Sequence, residues 1–203
     1  VSNSDQAKQL LVAEASDYAI ITLNRPAQMN SLSWDTMEAL EAAIKRLRNC
    51  PRFRVIIITG AGGIFSVGAD LNEVAQLTPV AAFDFSRRGQ ATLNLLSRRS
   101  AQDALTIAAI DGHCLGGGLD LALACDLRLA APRSTFAHPG AKRGIITGWG
   151  GTARLPRLIG RTEALRLLLT GDRIDAQEAL RIGLVNELCD AVIARACEMA
   201  RTK

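Results

Sequence analysis

Two stretches of this chain place glycines and a carboxylate where a strand-like run gives way to a helical one: Phe65-Ser-Val-Gly68-Ala69-Asp70-Leu71 and Gly112-His-Cys-Leu-Gly116-Gly117-Gly118-Leu-Asp120. The first amides of a helix have no carbonyl one turn back to bond, so each helix start favours an anion. Two such starts brought together make an oxyanion hole, which holds the charge developing on a carbonyl oxygen. Only small residues let that oxygen reach the main chain, which accounts for Ala69 and Gly117. The other reading is structural, with three glycines simply permitting close packing of strand on helix.

More familiar glycine motifs fit less well. Gly60-Ala-Gly62 opens like a dinucleotide fingerprint, but its third glycine would fall at Phe65 and no clear acidic ribose partner follows. Neither loop runs into the Lys-Ser or Lys-Thr of a phosphate-binding P-loop. The only histidines are His113 and His138, with no carboxylate or cysteine at helical or hairpin spacing to complete a set, so no metal site is expected.

The elements that must position these turns follow from hydrophobic periodicity. Apolar runs alternate with helical spacing, the pattern of an α/β chain with a parallel sheet covered by helices. Residues 18–23 read as a strand stopped by Asn24-Arg25-Pro26, and a helix after Ser33 carries Trp34, Met37, Leu40, Ile44 and Leu47 as one core stripe. Residues 55–59 are the clearest buried strand, and Gly60-Ala-Gly-Gly63 ends it in a loop. Asp70 with Glu73 reads as a capping box, and Thr78-Pro79 opens a longer helix. A strand at 105–110 leads into the second glycine turn, and an apolar helix over 119–125 leaves it. Strands at 127–130 and 135–138, helices at 151–158, 162–169 and 176–182, a strand at 185–188 and a last helix follow. With no repeat and no flexible linker, residues 1–203 are expected to form one domain.

Composition narrows the function classes. An apolar fraction of 48% with 22% charged residues is that of a globular chain, neither disordered nor membrane-spanning. No apolar run is long enough to cross a bilayer, and residues 1–9 lack the blocks of a signal peptide, so a cytoplasmic address is expected. Five cysteines without a C-x-x-C pair read as buried free thiols. The net charge of +4 favours an anionic partner, but the basic residues are scattered and aromatic residues make up only 4%, which argues against nucleic acid.

At the two glycine turns the chain resembles the crotonase, or enoyl-CoA hydratase/isomerase, family. The resemblance runs over residues 18–188 and includes Leu23-Asn-Arg-Pro26 with Asn30, Gly68-Ala69-Asp70, Gly116-Gly117-Gly118, Ala124-Cys125-Asp126 and Gly150-Gly-Thr-Ala-Arg-Leu-Pro156. It implies a spiral of ββα turns that binds an acyl-CoA thioester, assembled as trimers or dimers of trimers. It also implies a place in fatty acid metabolism, with coenzyme A entering as part of the substrate and no permanently bound cofactor. Ala69 and Gly117 take the positions whose N–H groups grip the thioester oxygen, and Gly68, Asp70, Gly116, Gly140 and His138 fall around the bound substrate.

The chain departs from the family at the acid–base groups. A hydratase carries two glutamates where this chain has Asp120 and Gly140; a dienoyl-CoA isomerase needs a glutamate at 140 and an aspartate near Gly148. Asp120 keeps a carboxylate one methylene shorter and is the candidate base. His138, Lys142 and Thr147 are candidates to replace the missing group, and His113 is a candidate to face the pocket. Asp70 matches a family aspartate that capping explains, and the family's lysine for the nucleotide end of coenzyme A falls at Gly63. The resemblance implies further C-terminal helices, so the C-terminal helical region is expected to be either short or incomplete here. The expected activity is enolate chemistry of the hydratase/isomerase type on a 2-enoyl-CoA. The alternatives are decarboxylation of a malonyl-type thioester, which needs no second carboxylate, and a non-catalytic acyl-CoA- or RNA-binding module.

Overall fold

The computed structural model describes residues 9–97 and 103–202. Its main sheet has six strands: β1 (Leu10–Glu14), β2 (Tyr18–Leu23), β3 (Val55–Gly60), β4 (Leu105–Ile110), β6 (Leu127–Ala130) and β9 (Glu187–Leu188), in that spatial order. All neighbours run parallel except β1, which pairs antiparallel with β2. A second sheet holds β5 (His113–Leu115), β7 (Thr135–Ala137) and β8 (Ile174–Asp175).

The continuous apolar runs of β3 and β4 arise because both faces of the main sheet are covered. On one face Ile56, Ile58, Ala108 and Ile110 join the buried stripe of helix α1 (Trp34–Arg48), made of Met37, Leu40, Ile44 and Leu47. On the other, Val55, Ile57, Leu105, Ile107 and Leu129 meet Val192, Ala196 and Ala200 of the final helix α8 (Val192–Arg201). Each valine, leucine, isoleucine or methionine so buried contributes roughly 1.5–3 kcal/mol. Ser33 caps α1 by accepting from the Thr36 amide, as its position predicts.

Three turns of the chain repeat one plan: a strand in the main sheet, a strand or bridge in the second sheet, then a helix. The first runs from β3 through a bridge pairing Ser66 with Cys114 to α2 (Leu71–Val74) and α3 (Pro79–Asn94). The second runs β4, β5 and α4 (Gly117–Ala124). The third runs β6 and β7 to α5 (Gly151–Ile159) and α6 (Arg161–Thr170), with α7 (Ala176–Arg181) following β8. This is the ββα spiral, and it brings the two glycine turns side by side.

The structure corrects several local expectations. The sheets are not wholly parallel, since β1 and β8 pair antiparallel, and β1, β5 and β8 are strands the periodicity missed. Helix α4 begins at Gly117, two residues before the apolar run. Glu73 closes no capping box on Asp70; its carboxylate accepts from the Trp34 amide and serves the start of α1. Only Cys114 and Cys125 are fully buried; Cys50, Cys189 and Cys197 are half-buried, though all five are free.

Candidate active site

The two glycine turns meet because Ser66 bonds across to β5, its amide to the His113 carbonyl and its carbonyl to the Leu115 amide, both 2.9 Å. Asn30 fastens the first turn from behind. Its side chain accepts from the Arg25 amide at 2.9 Å and donates to the carbonyls of Ala61 and Ile64 at 3.0 and 2.6 Å, while its own carbonyl receives the Ser66 hydroxyl.

This bonding leaves two amides over. Leu32 exchanges bonds with Gly68 and Asp70, on either side of Ala69, and the Ala69 N–H donates to no protein acceptor among the described residues. Gly117 is the first residue of α4, where an amide has no partner within the helix. Gly68 has φ +94°, and a Cβ built there would stand 2.5 Å from the Gly117 nitrogen, so any other residue would plug that amide. Gly116 turns the chain into α4 at φ 52°, ψ −124°, which only glycine adopts readily.

Gly117 has a second reason to lack a side chain. A Cβ there would strike the ring of Trp149 at 2.7 Å. Trp149 is buried, touches Phe85 at 5.1 Å between ring centres, and through it Trp34 at 5.0 Å. Sequence reasoning missed Trp149; the signal was a lone aromatic set among Gly148, Gly150 and Gly151.

Asp120 lies one helical turn after Gly117, and i,i+3 spacing puts the carboxylate on the same face as the free amide. It is 2% exposed. The His138 Nε2 lies 3.0 Å from its Oδ1, and the Thr147 hydroxyl donates to its Oδ2. Burial lowers the pKa of Arg154, and the charge of Asp120 opposes that shift. Cys114, beneath the turn, is no nucleophile: burial pushes its thiol well above the ordinary range, with Cys125 and Asp120 adding to the effect.

Ala69, Gly117, Asp120, His138, Thr147 and Trp149 border one cleft of about 790 Å³. Of the residues expected around the substrate, Ala69, Asp70, Gly116, Gly117, Asp120, Gly140 and His138 line it, whereas Gly68 lies behind the lining as a backbone hinge. Asp70 is held structurally, capping α2 through the Asn72 amide, accepting from Ser31 and facing Arg25 at 3.7 Å. Of the candidates for the missing group, His138 and Thr147 reach Asp120, while Lys142 reaches out to Asp172 at 3.0 Å on the surface. His113 turns its Nδ1 to Thr135, 2.8 Å away, and does not line the cleft. At Gly140 a Cβ would meet the Ile145 carbonyl oxygen at 2.5 Å, so the loop occupies the space a glutamate would need. Among the described residues no group of three histidine, cysteine or acidic side chains is placed to hold a metal, and no helix is long and apolar enough to cross a membrane.

The profile of the enoyl-CoA hydratase/isomerase family matches residues 14–201. The chain is 39% identical to a crotonyl-CoA hydratase of Syntrophomonas wolfei, over 89% of this chain and 69% of that one. It is 34% identical to a short-chain-enoyl-CoA hydratase of Clostridium acetobutylicum, over 91% and 70%. The crystal structure of an enoyl-CoA hydratase from Bacillus anthracis superposes with a TM-score of 0.90 at 37% identity, over 96% of this chain and 76% of that one. With the fold, the paired amides and these matches in agreement, the chain belongs to the enoyl-CoA hydratase/isomerase family of the crotonase superfamily and is an enzyme of that type.

Proposed function

We propose that the chain acts on a 2-enoyl-CoA thioester, with the Ala69 and Gly117 amides as its oxyanion hole and Asp120 as its acid–base group. The observation that carries this reading is the convergence of two unbonded amides and one buried carboxylate on a single cleft. The thioester oxygen accepts from both amides and takes up negative charge as water adds to the β-carbon. Asp120 receives the proton the water gives up, and returns a proton to the α-carbon as the enolate collapses, so the carboxylate is restored. Fixed donors aimed at a developing oxyanion are worth about 100- to 1,000-fold each.

Coenzyme A enters here only as the carrier of the acyl group. The family likeness supports a homotrimer or a hexamer, a cytoplasmic address, a part in fatty acid metabolism and one catalytic domain over residues 1–203. A second reading, decarboxylation of a malonyl-type thioester, is favoured by the closed space at Gly140, since it yields the same enolate without a second carboxylate.

The deciding experiment incubates the protein with crotonyl-CoA, with saturated acyl-CoA and with malonyl-CoA in heavy water, followed by mass spectrometry. Deuterium at the α-carbon together with 3-hydroxyacyl-CoA is the expected result. Release of carbon dioxide from malonyl-CoA without hydration would shift the assignment to the second reading. Binding of crotonyl-CoA with neither exchange nor hydration would overturn the first.

A further inference from the structure

Neither His138 nor Thr147 stands where a second, independent acid would stand, because both are spent on Asp120. His138 closes β7 and Thr147 precedes α5, so the two arrive from different segments and meet different oxygens of one carboxylate, Oδ1 and Oδ2. His138 is 4% exposed. Gly151, at the start of α5, closes the cluster: a Cβ there would collide with Asp120 Oδ1 and stand 2.9 Å from both His138 Nε2 and Thr147 Cγ2. A carboxylate is otherwise loose about its last torsion. Here each oxygen keeps one lone pair engaged and one to spare.

We infer that His138 and Thr147 are positioning residues that clamp the Asp120 carboxylate in one orientation toward the cleft. The inference rests on the reading of Asp120 as the acid–base group. Because Oδ1 accepts, the clamp requires the proton of the His138 imidazole on Nε2. Fixed orientation is what a shorter side chain working without a second carboxylate needs, since a displacement of about 1 Å can cost about 100-fold in rate.

The test pairs disruptive and conservative variants. Thr147→Val keeps the shape and loses the hydroxyl, and His138→Leu loses the donor. Each is expected to lower kcat by about 10- to 100-fold with KM for crotonyl-CoA little changed. Thr147→Ser and His138→Gln, which keep a donor, are expected to recover most of that loss. Equal losses in Thr147→Val and Thr147→Ser would mean packing rather than positioning, and full kcat in Thr147→Val and His138→Leu would overturn the clamp.

A readout without turnover separates this inference from the reading beneath it. Nitrogen-15 NMR of labelled histidine is expected to find the Nε2–H tautomer at His138 in the wild type and its loss in Asp120→Ala. An Nδ1–H tautomer in the wild type would overturn the clamp even in an active enzyme. An inactive wild type with the Asp120-dependent Nε2–H tautomer would instead sink the assigned reaction and leave the clamp standing.

Discussion

The turns around Ala69 and Gly117 and the segment from 139 to 147 border the same cleft, yet they are held in opposite ways. Behind the turns, Asn30, Ser66 and the bridges to Leu32 and Cys114 satisfy the main chain almost completely, and the two amides left over face the cleft. In the other segment residues 141–146 are all exposed, and its ion pair, Lys142 with Asp172, sits in solvent where such pairs are worth little. Ile146 is 81% exposed although it lines the cleft. A rigid wall suits stabilisation of a transition-state charge, whereas a lightly tied wall that offers Pro139, Ile145 and Ile146 beside Arg143 suits packing against a substrate chain. Among the described residues, the segment's hydrogen bond to the rigid wall is that of the Thr147 hydroxyl to Asp120, and His138, just before the segment, meets the same carboxylate.

The strongest way to break this contrast is on the rigid side. Asp120→Asn keeps the shape and removes the base, so kcat is expected to fall by about 100-fold or more. Acyl-CoA affinity, followed by calorimetry, is expected to change by less than about threefold. An effect confined to affinity would make Asp120 a binding residue. Next comes Gly68→Ala. Its Cβ would face the Gly117 nitrogen at 2.5 Å from a backbone at φ +94°, so turnover is expected to drop by about 100-fold through a blocked donor. The strained backbone is expected to cost about 1–3 kcal/mol in a melting experiment. Full turnover in that variant would mean the thioester oxygen lies elsewhere.

How much of this was legible in the sequence follows the same division. Glycine turns ahead of helices leave a local mark, because positive φ and unbonded amides select residue types wherever they occur. Ala69, Gly117 and Asp120 were therefore singled out, and all three line the cleft; Ser33 was likewise read as a cap and Thr78-Pro79 as a helix start. What escaped depends on contacts between distant segments. Strand β5 is three residues long and exists through its pairing with β7 and its bridge to Ser66, and β8 is two residues long. The role of Trp149 lies in the space left at Gly117 and Gly89, which no local pattern records. Lys142 and His113 show the converse: residue type made each a candidate, and the fold turned both side chains away from the cleft.

Gly151→Ala tests the join between the two walls. The new Cβ would displace the Asp120 carboxylate and crowd His138, while the glycine amides stay untouched. A kcat loss of about 10- to 100-fold, smaller than that of Asp120→Asn, is expected with the binding constant preserved. If Gly151→Ala weakened binding instead, the join would belong to the substrate site rather than to the base.

Gly140→Glu carries the smallest expected effect and sharpens the comparison most. It introduces the glutamate that the family resemblance implies at this position, and a second acid–base group in working order would raise hydration by about 100-fold. No such rise is expected. The Ile145 carbonyl stands 2.5 Å from the new Cβ, and because the Ile145 amide bonds the Gly140 carbonyl at 2.9 Å, the loop folds over the very space the glutamate would enter. The loosely held segment would shift outward to make room, carrying the glutamate with it, while Asp120 and its amides stay where the rigid wall puts them. A large gain in 3-hydroxyacyl-CoA formation would show that the loop yields the other way, toward the cleft, and that residue type at position 140 alone sets the reaction.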